Sequence, residues 1–291
     1  MKPSESVFIE VRGLRYHVRR WPAPGAPKLF LFHGWMDVSA SFQFLVDAFR
    51  KEWDVYAPDW RGYGMTDWGK SDCYWFPEYL ADLEVVVEHF EKQTPVNLVG
   101  HSLGGNVVAL YAGVRPERIA KLVNLEGFGM PRTRPEQAPK RYRAWLDELK
   151  DKPGLRPYKD FSELSKRLQS SNPRLTSERA DFLARHWGRE EGGQVVLRGD
   201  PAHKIINPVL YRYDESRVVW QQASAPVLWV EASESDTVKR MKLDPADLAD
   251  RRAAFPNLRY AVVSDAGHML HHDQPEAVAR LIEDFLAGSD S

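Results

Sequence analysis

The chain has 291 residues, 43% of them hydrophobic and 28% charged, with a formal net charge of −1. That is enough apolar material for one large domain or two smaller ones, and the balanced charge gives no electrostatic case for binding nucleic acid or an anionic membrane. A single cysteine, Cys73, excludes an intrachain disulfide and fits a reducing compartment. The first residues lack the apolar stretch of a signal peptide, and no run nears the roughly 18 apolar residues that span a bilayer, so a soluble cytoplasmic protein is expected.

In chain order, residues 7–11 and 14–18 flank Arg12-Gly13 and predict a β-hairpin. Lys28–Phe32 is a continuous apolar run, which suits a strand buried on both faces of a parallel sheet. It ends in His33-Gly34-Trp35. Residues 39–50 carry Phe42, Leu45, Val46 and Phe49 at helical spacing. Asp54–Pro58 is the next strand, followed by a glycine-broken loop from Asp59 to Asp67. Residues 78–90 place Leu80, Leu83, Val86, Val87 and Phe90 on one helical face.

The next segment organises the chain. A strand at residues 96–99 stops at Gly100-His101-Ser102-Leu103-Gly104, and residues 107–112 continue as a helix. G-x-S-x-G between a strand and a helix is the pattern of a nucleophile elbow. The turn is sharp enough to strain the serine backbone and to require small neighbours. A helix that starts there aims N–H groups at any anion formed at Ser102. A second such donor is expected after the His33-Gly34 strand end. The amides of Trp35 and Leu103 are therefore the candidate oxyanion hole.

Residues 120–127 form another buried strand ending in Glu126-Gly127. The regular alternation to this point argues for an α/β fold with a mostly parallel central sheet flanked by helices. From residue 128 to 220 the alternation breaks. Helical patterns at residues 141–149, residues 161–168 and Ser177–Trp187 are separated by turn residues. This segment is expected to be a helical cap inserted after the sixth strand, leaving residues 1–127 and 221–291 as the core. Strands at residues 226–230 and Leu258–Val263 follow, with a helix at residues 243–255 between them. Gly267-His268 comes directly after the last strand, and a closing helix starts at Pro275.

A serine hydroxyl needs a base to take its proton, and that base needs a carboxylate to hold its tautomer. His268 is the candidate base. His271 and His272 stand close by, but no H-E-x-x-H or zinc-type Cys/His spacing is present, so neither metal nor cofactor is expected.

Four segments together resemble the α/β-hydrolase fold superfamily over nearly the whole chain: His33-Gly34-Trp35, Asp59 to Thr66, Gly100 to Gly105, and Gly267-His268 followed by Pro275-Glu276. The resemblance is to the capped branch that includes haloalkane dehalogenases, epoxide hydrolases and many serine esterases. Dehalogenases and epoxide hydrolases of that branch use an aspartate nucleophile; an alkylated serine would be an unreactive ether. Serine at 102 therefore implies acyl chemistry. The acid stays open. Relatives that carry it after the seventh strand show G-x-x-D, where this chain reads Ala232-Ser233-Glu234-Ser235-Asp236. Others place a glutamate after the sixth strand, as Glu126 would be. A carboxylate ending a buried strand has few other uses, so Glu126 is favoured, with Asp236 and then Glu234 as alternatives.

The expected activity is that of a cofactor-independent serine hydrolase of the carboxylesterase type, acting on an ester, lactone or thioester. Aromatic residues, frequent in the cap, point to a small and mainly apolar acyl substrate. A carbon–carbon bond hydrolase and a non-catalytic ligand-binding protein on the same fold are the alternatives. The pattern is silent on oligomeric state.

Overall fold

The computed structural model describes residues 1–288. Eight strands form one sheet: β1 (Glu5–Val11), β2 (Leu14–Trp21), β3 (Lys28–Phe32), β4 (Asp54–Pro58), β5 (Val96–His101), β6 (Ile119–Leu125), β9 (Val227–Ala232) and β10 (Leu258–Val263). Their order is β1-β2-β4-β3-β5-β6-β9-β10. The hairpin strand β2 runs antiparallel to both β1 and β4, and all other pairings are parallel.

Side chains alternate across the sheet as strand geometry requires. Leu29, Leu31, Val99, Val123 and Val230 face one layer, where α1 (Gln43–Ala48) and α11 (Pro275–Ala287) supply Leu45, Val278, Ile282 and Phe285. Phe30, Phe32, Leu98, Leu122 and Trp229 face the other, against α2 (Phe76–Phe90) and α3 (Leu103–Val114), with Leu83, Val86, Val107 and Tyr111. Helix α11 stops at Gly288, whose φ of +77° is a left-handed terminus that glycine takes without strain. No helix among the described residues is long and apolar enough to cross a membrane.

Between β6 and β9 the chain leaves the sheet. It forms α4 (Ala138–Lys150), α5 (Phe161–Ser171) and α6 (Ser177–Trp187), then a hairpin of β7 (Gly188–Glu191) and β8 (Gln194–Leu197), then α7 (Tyr213–Trp220). The hairpin was not anticipated from the sequence. Gly192 and Gly193, at φ +57° and +78°, make the two-residue turn with left-handed backbone that hairpins prefer. The segment has its own small core, in which Leu164, Leu168, Ala180, Leu183 and Val195 pack on Phe44 of α1. Between β9 and β10 lie the single turn α8 (Thr237–Arg240) and α9 (Pro245–Ala253). Helix α9 begins later than the apolar spacing suggested, because the Asp244 carboxylate caps it by accepting the Asp247 N–H at 2.8 Å. A last turn, α10 (Leu270–Asp273), precedes α11.

The parallel strands end together on one edge of the sheet, which is where open α/β sheets gather their functional groups. Ser102 follows β5, Glu126 follows β6 and His268 follows β10.

Candidate active site

Ser102 sits at the strand–helix junction with φ 52° and ψ −113°, outside the regions that L-residues favour. Strain of this kind persists only where the surroundings over-determine it. Its N–H donates to the Leu125 carbonyl at 2.8 Å, and its own carbonyl accepts from Asn106 N–H at 3.0 Å. A Cβ at Gly104 would stand 2.1 Å from the Phe32 carbonyl oxygen, and one at Gly100 would stand 2.5 Å from the Gly104 carbonyl. Only glycine lets the elbow fold back on itself at Gly100 and pass so close to β3 at Gly104.

His268 lies on the loop after β10, with Nε2 3.0 Å from Ser102 Oγ. Two contacts hold that loop. Gly267 N–H donates to Asp273 Oδ2 at 2.8 Å, and the buried His101 donates from Nε2 to the His268 carbonyl at 2.8 Å. On its other side His268 Nδ1 lies 3.1 Å from Glu126 Oε2 and 3.0 Å from Thr237 Oγ1.

Glu126 is 2% exposed and has a φ of +57°, a second bent strand end. Its carboxylate accepts the Ala232 N–H at 2.8 Å and the Ser235 hydroxyl at 2.5 Å, in addition to His268. A buried carboxylate with this many donors is compensated for its lost hydration. The other two carboxylates do not reach the histidine. Asp236 faces solvent and pairs with Arg240 at 3.1 Å. Glu234 is exposed and pairs with Arg174. Ser235 and Thr237 were missed as participants. The available signal was Ser235 standing where the G-x-x-D pattern has its aspartate.

Leu103 occupies the first position of α3, where an N–H has no acceptor within its own helix. Trp35 follows β3, and both residues line the same cavity as Ser102. His33, ahead of Trp35, is a strut. Its Nδ1–H donates to the Gly34 carbonyl at 2.8 Å, its Nε2 accepts Trp60 N–H at 2.9 Å, and its carbonyl accepts the Trp60 indole N–H at 2.9 Å. Burial lowers its pKa to about 4, so it is neutral and ties the β3 end to the β4 loop. Asp59 anchors that loop, accepting from His17 at 2.7 Å, Ser39 N–H at 2.7 Å and Met65 N–H at 2.9 Å. Burial alone would raise this carboxyl, but the bond and charge of His17 carry it well below the usual range.

The cavity has a volume of about 390 Å³. Ser102 and Glu126 line it, and Trp75, Phe76, Phe128, Met130 and Met241 provide apolar wall. Arg141 reaches it from α4. This volume lies toward the small end of the roughly 300–1,000 Å³ typical of small-molecule sites.

Behind His268 is a cluster absent from the sequence expectations. Atoms of Asp37, His101 and His271 converge within 4.8 Å of one another, all buried, in the way a metal's ligands would. Burial favours the neutral form of each. The Asp37 carboxyl is pushed up to about 7, and both imidazoles are pushed well down. His101 links this neutral node to the His268 backbone.

The chain matches the model of the alpha/beta hydrolase fold over residues 27–275. It belongs to that family. A serine hydrolase-like protein from Danio rerio is 30% identical over 274 residues, covering 91% of this chain and 82% of that protein. The esterase YbfF of Escherichia coli is 23% identical, covering 89% of this chain and 92% of that protein. Among solved structures, a thioesterase domain from the curacin biosynthetic pathway superposes with a TM-score of 0.87 at 24% identity, over 97% of this chain and 99% of that one. The α/β-hydrolase family, with serine hydrolase-like and esterase relatives, is thus shown independently of the site geometry.

Proposed function

We propose that this α/β-hydrolase is a cofactor-independent serine hydrolase that cleaves a carboxylic ester, lactone or thioester through an acyl-enzyme on Ser102. One observation carries the reading: the unbroken chain from Ser102 Oγ through His268 to Glu126 Oε2, with links of 3.0 and 3.1 Å, opening onto the 390 Å³ cavity.

In this mechanism His268 Nε2 takes the hydroxyl proton as Ser102 Oγ attacks the carbonyl carbon. Glu126 stabilises the imidazolium and fixes the proton of the resting ring on Nδ1. The Trp35 and Leu103 amides donate to the oxyanion, a contribution of about 3–4 kcal/mol per donor. His268 then protonates the leaving group, and water resolves the acyl-enzyme by the same route. Residues 128–220 act as the cap that covers the cavity and excludes bulk water. The cavity wall suits a mainly apolar acyl group. The same reading puts the enzyme in the cytoplasm, where Cys73 stays reduced.

A fluorophosphonate probe tests this directly. It should label one site, Ser102, and Ser102→Ala should abolish both labelling and turnover of p-nitrophenyl esters. Unlabelled Ser102, or ester turnover that survives Ser102→Ala, would overturn the mechanism.

A further inference from the structure

Arg141 lies in the first half of α4 and lines the same cavity as Ser102. Among the described residues it makes no hydrogen bond or ion pair, and its Nε is fully buried without an acceptor. Several other arginines of the inserted segment are matched. Arg132 meets Asp214, Asp247 and Asp250, Arg156 meets Glu163, and Arg189 meets Glu191. An unpaired arginine in open water needs no explanation. One whose Nε is buried at the wall of a mainly apolar cavity does, because a buried donor without an acceptor costs free energy. One turn along the same helix face, the Trp145 indole N–H is also buried without an acceptor.

We infer that Arg141 is an anion-binding subsite, and that the substrate is an acyl compound carrying a carboxylate or similar oxyanion at the end remote from the scissile bond. The inference rests on Ser102 being the nucleophile. The planar guanidinium presents parallel N–H donors that match a carboxylate or phosphate edge in two bonds. Low dielectric in the cavity strengthens that pairing, and the apolar side chains that line the cavity together with Arg141 and Ser102 accommodate the connecting hydrocarbon. The substrate is then apolar in the middle and charged at one end. A half-ester of a straight-chain dicarboxylic acid has this form.

The test compares kcat/KM for monoethyl esters of five- to seven-carbon dicarboxylic acids with the isosteric esters ending in a neutral amide. Wild type is expected to favour the charged ester at least tenfold, with the preference shrinking as ionic strength rises. In Arg141→Gln the charged-to-neutral ratio should fall at least tenfold, mainly through KM, and Arg141→Lys should restore part of it. A phosphate-ended ester that outperforms the carboxylate supports the subsite and identifies its anion as phosphoryl. Equal or better turnover of the neutral isostere by wild type, or an unchanged ratio in Arg141→Gln, overturns the inference. Fluorophosphonate labelling of Ser102 reports separately on the nucleophile, so failure of the hydrolase mechanism and failure of the subsite give different results.

Discussion

Glu126→Gln tests the relay most sharply. The wild-type carboxylate accepts at both oxygens: Oε1 from Ala232 N–H at 2.8 Å, and Oε2 from His268 Nδ1 at 3.1 Å and the Ser235 hydroxyl at 2.5 Å. An amide of the same shape can accept at only one end. If its oxygen faces Ala232, its NH2 confronts His268, and the ring must move its proton to Nε2 to offer an acceptor at Nδ1. The Nε2–H then points at Ser102 Oγ and cannot take its proton. If the amide flips, NH2 confronts the Ala232 N–H and a buried donor pair is left opposed. In either orientation the imidazolium loses its counter-charge. Loss of the equivalent acid in serine proteases lowers kcat by about 10⁴, so a fall of about 10³–10⁴ is expected, equivalent to roughly 4–5.5 kcal/mol of barrier. Asp236→Asn, at a solvent-facing position paired with Arg240, should stay within about twofold. The assay is kcat on a p-nitrophenyl ester for both variants, with thermal melts to confirm folding. A folded Glu126→Gln enzyme within tenfold of wild type would refute the reasoning, as would a larger loss in Asp236→Asn.

Four further outcomes follow from the geometry. Ser235→Ala removes one donor from Glu126 and should lower kcat about 10- to 150-fold with little change in KM, since a hydrogen bond to a charged group contributes about 1.5–3 kcal/mol; a rise in KM at constant kcat would instead make Ser235 a substrate contact. Gly104→Ala drives a methyl against the Phe32 carbonyl and should destabilise the fold by at least about 3 kcal/mol in urea titration; a native-like midpoint would contradict the close approach. His33 and His272 are held neutral by burial, with pKa about 4 and about 3. Below pH 6.5 the unfolded chain takes up their protons and the folded chain does not, so stability should fall as pH drops from 6.5 toward 4, by about 1.4 kcal/mol per histidine per pH unit; a flat or rising urea midpoint over that range would sink the assignment. Asp37 acts in the opposite sense. Burial raises its pKa to about 7, so the folded chain holds a proton that the unfolded one has lost, and Asp37's own contribution to stability declines as pH rises from about 4 to 7, offsetting about one histidine's share of the net trend. Asp37→Asn should therefore gain on wild type at pH 8 relative to pH 5, and a pH-independent difference between the two would refute it.

The central strands, the serine turn and the position of His268 after the last strand were legible because each is written locally. A buried parallel strand is a short apolar run, and a nucleophile turn demands glycines at fixed offsets from its serine. The hairpin β7–β8 was equally local, in Gly192-Gly193 followed by alternating residues, but it lay inside a segment whose helical periodicity dominated the reading. Arg141 could not be singled out at all. Its lack of a partner is a property of what surrounds it, and most paired arginines of the chain find their carboxylates at distant positions that a pattern cannot match up, as Arg132 does with Asp214, Asp247 and Asp250.

The acid shows why one chain position could not be separated from another by pattern alone. Strands β6 and β9 are separated by about a hundred residues, yet they are parallel neighbours, with Leu125 opposite Val230. Their C-terminal ends therefore stand side by side beneath His268, and a carboxylate on either could reach Nδ1. Sequence order permits both. What distinguishes them is the backbone at each exit. Glu126 leaves β6 at φ +57°, stays buried, and finds the Ala232 N–H on the neighbouring strand. The β9 exit turns Asp236 outward to Arg240 and turns Ser235 inward, so the position expected to hold the aspartate supplies a hydroxyl donor to the glutamate next door. In the proposed relay the carboxylate stands one strand across, and a donor occupies the G-x-x-D aspartate position. Placing a carboxylate back at 235 would set two buried anions against each other and raise the pKa of one of them. Ser235→Asp in the presence of Glu126 should for that reason be less active than wild type, whereas Ser235→Asp combined with Glu126→Ala should recover turnover over Glu126→Ala alone. If the double variant recovers nothing, adjacency of the two strand ends is not sufficient for a carboxylate at 235 to serve His268.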